Sequence, residues 1–246
     1  MSKIHLLSRP QKLFVVCTAI FLTALVVAEA TAGKLFTVIK LPFAINILGQ
    51  SFDEVIMTAG VIAFPITFII TDLLNEYFGK PGIKFVTYIG LAMIMFEFGL
   101  IQVAMTVPTA SISPVPDEAF QLVFGASGRI IIGSMVAYVI GQLVDISLFH
   151  WLRQLTDGKH LWLRATGSTF GSQFLDTFVV LFIAFYGPMT LQTIIAITLF
   201  NYVYKFVVAI LITPLIYAAH WAIDAYLGKD ASEDLIMAAT EDDIAL

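Results

Sequence analysis

Residues 13–32 read LFVVCTAIFLTALVVAEATA, an apolar run long enough to cross a lipid bilayer as one helix. No cleavage site followed by a soluble domain bounds this run, so we predict a retained spanning helix rather than a signal peptide. Hydrophobic residues make up 59% of the 246 positions and charged residues only 13%. One water-soluble core could not bury so much apolar surface, and lipid is therefore expected to be the solvent for most of the chain.

Six stretches of the chain are apolar and long enough to cross a membrane, which takes roughly 20 residues each. We predict an all-α polytopic membrane protein with about six transmembrane helices, forming a single transmembrane domain over residues 1–246. The predicted spans are about Leu13–Ala32, Val55–Leu74, Phe85–Val107, Ile130–Phe149, Ser168–Tyr186 and Leu191–Tyr217. The last span is long enough to tilt, or to contain a break near Pro214.

The positions of lysine and arginine predict the orientation of the spans, because these residues concentrate in cytoplasmic loops. With both termini in the cytoplasm, that side holds Lys3, Arg9, Lys12, Lys80, Lys84, Arg153, Lys159, Arg164 and Lys229. The opposite side holds only Lys34 and Lys40, while Arg129 and Lys205 lie at membrane depth. A five-span arrangement would spoil this asymmetry, so we expect both ends to be cytoplasmic.

Three segments outside the spans have a distinct composition. The segment Lys34–Phe52 is β-branched and aromatic with one proline and one glycine, which favours a short hairpin or a re-entrant stretch at the outer face. The segment Pro108–Pro116 is rich in proline, serine and threonine and is predicted to be an exposed connection. The acidic tail, residues 230–246, is predicted to be cytoplasmic and either a solvated amphipathic segment or disordered.

Ionisable and amide side chains recur within the spans, where an unpaired charge is costly. In several spans they lie three or four residues apart and therefore share one helical face. The candidate substrate-binding residues are Asp72, Asn75, Glu76, Glu97, Arg129, Gln142, Asp145, Gln173, Asp176, Asn201 and Lys205. Polar faces on several spans imply a central polar site, because facing all of them towards lipid would cost too much free energy.

Some of these polar residues have an alternative at the membrane surface. Glu76 could be solvated at a helix end, and Arg129 could extend its charge to the interface. His150 and His220 lie near span ends and are predicted to be interfacial.

Buried pairs are a second alternative. Asp145 could pair with Arg153, and Asp176 with Lys205, for structure alone. Asp72 and Asp176 could also face each other as the carboxylates of an intramembrane aspartyl enzyme. No HExxH, GxSxG or P-loop motif occurs, so we predict a protein that is not an enzyme and uses no cofactor. The single cysteine, in an apolar run, argues against a disulfide framework or metal cluster and is expected to be a small buried side chain.

An ordered set of short motifs resembles the queuosine precursor transporter family, also called the vitamin uptake transporter family. The stretch Ala137–Arg153 is the most specific part. The matching positions are Phe64-Pro65, Thr71-Asp72-Leu73, Gly79, Arg129, Ser134, Ala137-Tyr138, Gly141-Gln142, Asp145, Phe149, Leu152-Arg153, Ser168-Thr169-Phe170-Gly171, Asp176-Thr177, Phe182-Ile183-Ala184-Phe185, Tyr202, Lys205, Pro214 and Tyr217. The first 60 residues match poorly, and Glu97 has no assigned counterpart in the family.

The resemblance implies six transmembrane helices in a bacterial-type inner membrane and uptake of the queuosine precursors 7-cyano-7-deazaguanine and 7-aminomethyl-7-deazaguanine. It also implies a plan similar to the substrate-binding subunits of energy-coupling-factor importers. The expected partners are a purine-like base and the lipid bilayer, with no nucleic acid. A deazaguanine offers a ring N–H beside an exocyclic NH₂, which a carboxylate such as Asp72, Asp145 or Asp176 can accept.

The alternative function is a binding subunit for another vitamin-like solute that works with an external ATPase. It is favoured by the small residues Ala24, Ala28 and Ala32, whose spacing suits close packing against another helix. Packing within the chain or a homodimer would explain the same stripe.

Overall fold

The computed structural model describes residues 7–32, 34–47, 49–125, 128–157, 159–187 and 190–244, which are mostly helical. The helices are α1 (Arg9–Thr31), α2 (Phe64–Thr106), α3 (Asp117–Phe124), α4 (Gly128–Leu155), α5 (Leu161–Phe185), α6 (Leu191–Leu227) and α7 (Lys229–Ile244). Two strands, β1 (Leu35–Ile47) and β2 (Gln50–Thr58), and a 3₁₀ helix at Ala59–Ala63 lie between α1 and α2.

Among the described residues, four helical stretches are long and apolar enough to cross a membrane, as expected for a helical membrane protein. They are Arg9–Thr31, Ala59–Thr106, Ile131–Leu155 and Ile197–Leu227. The second and third predicted spans are both parts of α2, which is 43 residues long. Within the part of the chain that the structure describes, α5 is not among these four.

Helix α2 is interrupted at Gly79, whose φ of 60° and ψ of −174° lie outside the helical region. Glycine tolerates this positive φ because it has no Cβ, and Pro81 follows at once. The two arms run in opposite directions along α1. Phe78 meets Phe14, near the start of α1, edge to face at 4.9 Å between ring centroids. The chain then returns so that Gly90 lies beside Leu25.

The strands form the hairpin expected for the segment that begins at Lys34. They pair antiparallel from Leu35 opposite Thr58 to Ile47 opposite Gln50. The register shifts between Lys40 and Ile45, where Pro42 has no N–H for the ladder. Strand β2 continues to Thr58, and α2 begins only at Phe64. The predicted start of the second span at Val55 is therefore wrong, because Val55 lies in the strand.

Other boundaries also differ from the predicted ones. Helix α5 begins at Leu161 rather than Ser168, which brings Arg164 into the helix. Helix α6 continues through Pro214 to Leu227. The loop Pro108–Pro116 is exposed along its whole length, as expected.

The acidic tail is neither disordered nor fully solvated in the described residues. Residues 229–244 form α7, whose Ser232 and Ala239 are buried. Ala239 lies against Gly79: a Cβ added to that glycine would be 2.8 Å from the carbonyl oxygen of Ala239. The guanidinium Nη2 of Arg153 donates to the carbonyl of Ile236 at 3.2 Å, which ties α7 to the end of α4.

One apolar cluster joins α1, α2, α4 and α6. It includes Cys17, Phe21, Tyr77, Ile146 and Ile223, all almost completely buried. Cys17 is a small buried side chain, as predicted.

Candidate substrate-binding site

A polar stripe runs along one face of α5 through the apolar bundle. Arg164, Ser168, Ser172 and Asp176 follow each other at every fourth position, so they lie above one another on one face. The first three are buried, and Asp176 is half-buried. Each of these side chains faces α2, α4 or α6 rather than lipid, or bonds its own helix, and the stripe therefore organises the polar interior.

At the N-terminal end of the stripe lies a group that we call the Arg164 cluster: Asp72, Asn75, Glu76, Asp145, His150, Arg164 and Ser172. Nη2 of Arg164 lies 2.6 Å from Oε1 of Glu76, and the side chains are 4% and 6% exposed. The hydroxyl of Ser172 donates to Asp145 at 3.1 Å. Asp72 lies within electrostatic range of Asp145, Glu76 and Arg164. Buried carboxylates are tolerated only with cations or hydrogen-bond donors beside them, and Arg164 and Ser172 fill these roles here.

An imidazole completes this cluster from α4. Nε2 of His150 donates to the amide Oδ1 of Asn75 at 3.2 Å, and both residues are buried. His150 was predicted to be interfacial near a span end, and its ring is buried against α2 rather than exposed. The amide Nδ2 of Asn75 has no hydrogen-bond partner among the described residues.

The other end of the stripe is the Lys205 cluster: Glu29, Ser134, Asp176 and Lys205, from α1, α4, α5 and α6. Nζ of Lys205 lies 2.8 Å from Oδ2 of Asp176, with side chains 5% and 24% exposed. The same Nζ is 4.3 Å from the ring centroid of Phe64. The hydroxyl of Ser134 donates to Oε2 of Glu29 at 2.6 Å. Glu29 is within electrostatic range of both Asp176 and Lys205.

Small residues allow α4 and α5 to approach closely at this stripe. A Cβ on Gly141 would lie 3.0 Å from the Cβ of Asp176, and one on Gly167 would lie 2.8 Å from Cδ1 of Leu152. Gly171 is also in close contact with Leu148. Close approach through glycine is typical of helices that pack within membranes.

The other predicted site residues lie outside these contacts. Asn201 donates to the carbonyl of Ile197, one turn earlier in its own helix, at 2.9 Å. Glu97 and Gln142 each have a buried side-chain oxygen without a hydrogen-bond partner among the described residues. Gln173 is half-buried on α5. The side chain of Arg129 is outside the described part of the structure.

Sequence reasoning missed Glu29 and misplaced Arg164. Glu29 is the single acidic residue of the apolar run 13–32. A charged residue within an apolar run is the same pattern that identified Asp176. Arg164 was predicted in a cytoplasmic loop, but it is 3% exposed and paired with Glu76. Its spacing from Ser168 and Ser172 could have placed it on the same helical face.

The structure does not pair Asp72 with Asp176. Asp176 is ion-paired with Lys205, whereas the electrostatic neighbours of Asp72 are Asp145, Glu76 and Arg164. No three His, Cys, Asp or Glu side chains of the described residues are grouped to hold a metal ion. The arrangement offers carboxylates, amides and cations to a polar solute inside an apolar bundle.

Residues 58–219 match the model of a family described as "Putative vitamin uptake transporter". The chain belongs to this vitamin uptake transporter family. It is 31% identical over 183 residues to the "Probable queuosine precursor transporter" of Haemophilus influenzae, covering 71% of this chain and 74% of that protein. It is 29% identical over 163 residues to the protein of the same name from Bacillus subtilis, covering 66% and 71%.

The chain is also 29% identical over 167 residues to the "Queuosine precursor transporter" of Escherichia coli, covering 62% of this chain and 67% of that protein. No solved structure matches the chain. The family match includes every residue of both clusters except Glu29, which lies in α1. The match ends before α7.

Proposed function

We propose that this protein takes up the queuosine precursors 7-cyano-7-deazaguanine and 7-aminomethyl-7-deazaguanine across the inner membrane. Family membership and the names of three relatives support transport of queuosine precursors. The observation that carries the proposal is the polar stripe of α5, which links two clusters of charged side chains inside an apolar bundle. Such groups within a membrane protein typically line a substrate pathway.

We propose six membrane crossings with both termini cytoplasmic. In this arrangement the two arms of α2 cross separately and α5 crosses between α4 and α6. The contacts of α1 with both arms support it, since Phe14 meets Phe78 and Leu25 meets Gly90 on the return.

Contacts at one end of the bundle support the same orientation. Arg9 donates to the carbonyl of Tyr226 at 3.1 Å, and Arg153 donates to Ile236. The start of α1, the turn of α2, the end of α4 and helix α7 therefore share one end, and this end carries the arginines that favour the cytoplasmic side.

Deazaguanine chemistry is compatible with the residues that we propose for the site. Its carbonyl oxygen needs a donor, and an ammonium such as Lys205 has three N–H groups, of which one is directed at Asp176. Its N–H and NH₂ groups need a carboxylate. The eleven residues proposed from the sequence remain candidates, with the two clusters as their centre.

The small residues that favoured the binding-subunit alternative are explained by packing within the chain. Ala24 and Ala28 are buried within the chain. A Cβ on Gly60 would lie 2.6 Å from the carbonyl oxygen of Ala28, so the small-residue stripe packs against the 3₁₀ helix. The same contact removes the stripe as an argument for a homodimer.

The test is uptake of labelled 7-cyano-7-deazaguanine by the purified protein in liposomes. We expect saturable uptake that unlabelled 7-aminomethyl-7-deazaguanine inhibits, with protein-free liposomes as the control. In cells that cannot make deazaguanine bases, expression should restore queuosine in tRNA at low external base. Restoration that is equal without the protein, or liposome uptake of an unrelated vitamin that deazaguanines do not inhibit, would contradict the proposal.

A further inference from the structure

We propose that Glu29 is the specificity-determining carboxylate that accepts the ring N–H and exocyclic NH₂ of a 2-amino-6-oxo base, with Lys205 opposite it as donor to the carbonyl oxygen. This inference rests on the proposed function and names the contact by which the site would distinguish guanine-type bases from others. Glu29 lies in α1, before the residues matched by the family model.

Among the residues that the structure describes, Glu29 is the carboxylate of the Lys205 cluster that forms no ion pair. Asp176 is paired with Lys205 at 2.8 Å. Glu29 instead receives a neutral hydroxyl, from Ser134, at 2.6 Å on Oε2. A carboxylate offers about four lone-pair sites over its two oxygens, so acceptor capacity for two further N–H groups remains.

Ser134 holds the carboxylate in one orientation. The hydroxyl comes from α4, whereas Glu29 projects from α1, so the bond fixes the side chain between two helices. A fixed acceptor loses little conformational entropy when it forms two parallel hydrogen bonds, and this geometry selects a ligand with adjacent donors.

Lys205 is the complementary donor of the same cluster. Glu29 interacts electrostatically with Lys205, but among the described residues the ion-pair partner of Lys205 is Asp176. The cluster thus contains both an acceptor and a donor that are not paired with each other. The edge of a guanine-type base carries a carbonyl acceptor beside its two donors and could use both.

The proposed contact predicts how the C7 substituent is treated. In a 7-deazaguanine, C7 lies on the five-membered ring, on the carbonyl side of the base and away from the ring N–H and NH₂ groups. Recognition through Glu29 should therefore not depend on whether C7 carries a cyano or an aminomethyl group, and should reject bases without the 2-amino group.

Binding of 7-deazaguanine and of 7-deazahypoxanthine, which lacks the 2-amino group, tests the inference on the purified full-length protein. We compare wild type, Glu29→Gln and Ser134→Ala. Glu29→Gln keeps an acceptor for Ser134 but removes the negative charge. Ser134→Ala keeps the carboxylate and removes the hydrogen bond that orients it. We expect wild type to prefer 7-deazaguanine by about 10- to 100-fold, because a site built to bond an N–H group rejects the analogue that lacks it.

In Glu29→Gln this preference should fall to about threefold or less. Binding of 7-deazahypoxanthine should weaken less than binding of 7-deazaguanine, because it loses only the ring N–H contact to the carboxylate, whereas 7-deazaguanine loses both contacts. Ser134→Ala should retain a preference. A preference that persists in Glu29→Gln overturns the inference and leaves the transport proposal standing. Equal loss of both bases together with a lower melting temperature indicates a structural role and also overturns it.

Two further results distinguish failure of the proposed function from failure of the proposed Glu29 contact. Wild type that binds no deazapurine contradicts the proposed function itself. A wild-type preference for the aminomethyl over the cyano base that Glu29→Gln abolishes would assign Glu29 to the ammonium group and overturn the edge contact. If Glu29→Gln does not reach the membrane, Glu29→Asp decides: its shorter side chain should reduce the 7-deazaguanine preference, and an unchanged preference rejects the inference.

Discussion

Arg164 and Glu76 form an ion pair of 2.6 Å between α5 and α2, and both side chains are shielded from solvent. Removing one partner of such a pair leaves an uncompensated buried charge, which costs about 3–5 kcal/mol in soluble proteins. Replacing both with neutral side chains removes that penalty.

We therefore expect Arg164→Met and Glu76→Gln each to lower the melting temperature and membrane abundance strongly, and the double variant to recover much of both. Thermal unfolding of detergent-purified protein followed by fluorescence measures this. If the double variant is as unstable as the sum of the single variants, the two side chains do not depend on each other.

Asp176 and Lys205 lie in the proposed site, and Asp176 is the less buried of the two. We expect Asp176→Asn and Lys205→Ala to abolish base uptake while the protein still reaches the membrane, because each removes a substrate contact. The double variant Asp176→Asn with Lys205→Met should stay inactive. Uptake and membrane abundance are measured together. Misfolded single variants and a recovered double variant would instead indicate a structural pair, and normal uptake by both single variants would reject the site.

Gly79 should not tolerate a side chain. Its positive φ costs an L-residue about 1–2 kcal/mol, and a Cβ would also approach the backbone of Ala239 within 2.8 Å. We expect Gly79→Ala to lower the melting temperature. Gly99→Ala is the matched control in the same helix, because nothing lies within 4 Å of its Cβ position. Equal melting temperatures for the two variants would contradict the packing of α7 on this turn.

The proposed orientation predicts which side of the membrane is labelled. After Cys17→Ala, a thiol reagent that cannot cross the membrane should label Ser111→Cys in intact cells, because this residue lies in the exposed loop before α3. Glu233→Cys, whose side chain is 64% exposed on α7, is the control and should react only after permeabilisation. The reverse pattern would invert the topology.

The apolar pattern predicted a helical membrane protein, and the change in composition after Ala32 predicted the hairpin. Span boundaries were less predictable. Val55 is apolar and β-branched, so it suits a strand or a membrane helix, and its pairing with Ile39 decides between them. Local composition contains no information about that partner.

The candidate site was predictable only in part, for a related reason. Asp72, Asp145, Asp176 and Lys205 were identified because charged residues in apolar runs are conspicuous. Arg164 and His150 lie near span ends, where side chains are usually solvated, and their burial depends on which helix faces them. Glu76 and Asn75 of α2 provide these partners.

The contact of Gly79 with Ala239 joins an early turn of the chain to its last helix. During synthesis the two arms of α2 are made long before α7 leaves the ribosome. The first half of the bundle therefore cannot reach its final packing at this turn until α7 has left the ribosome.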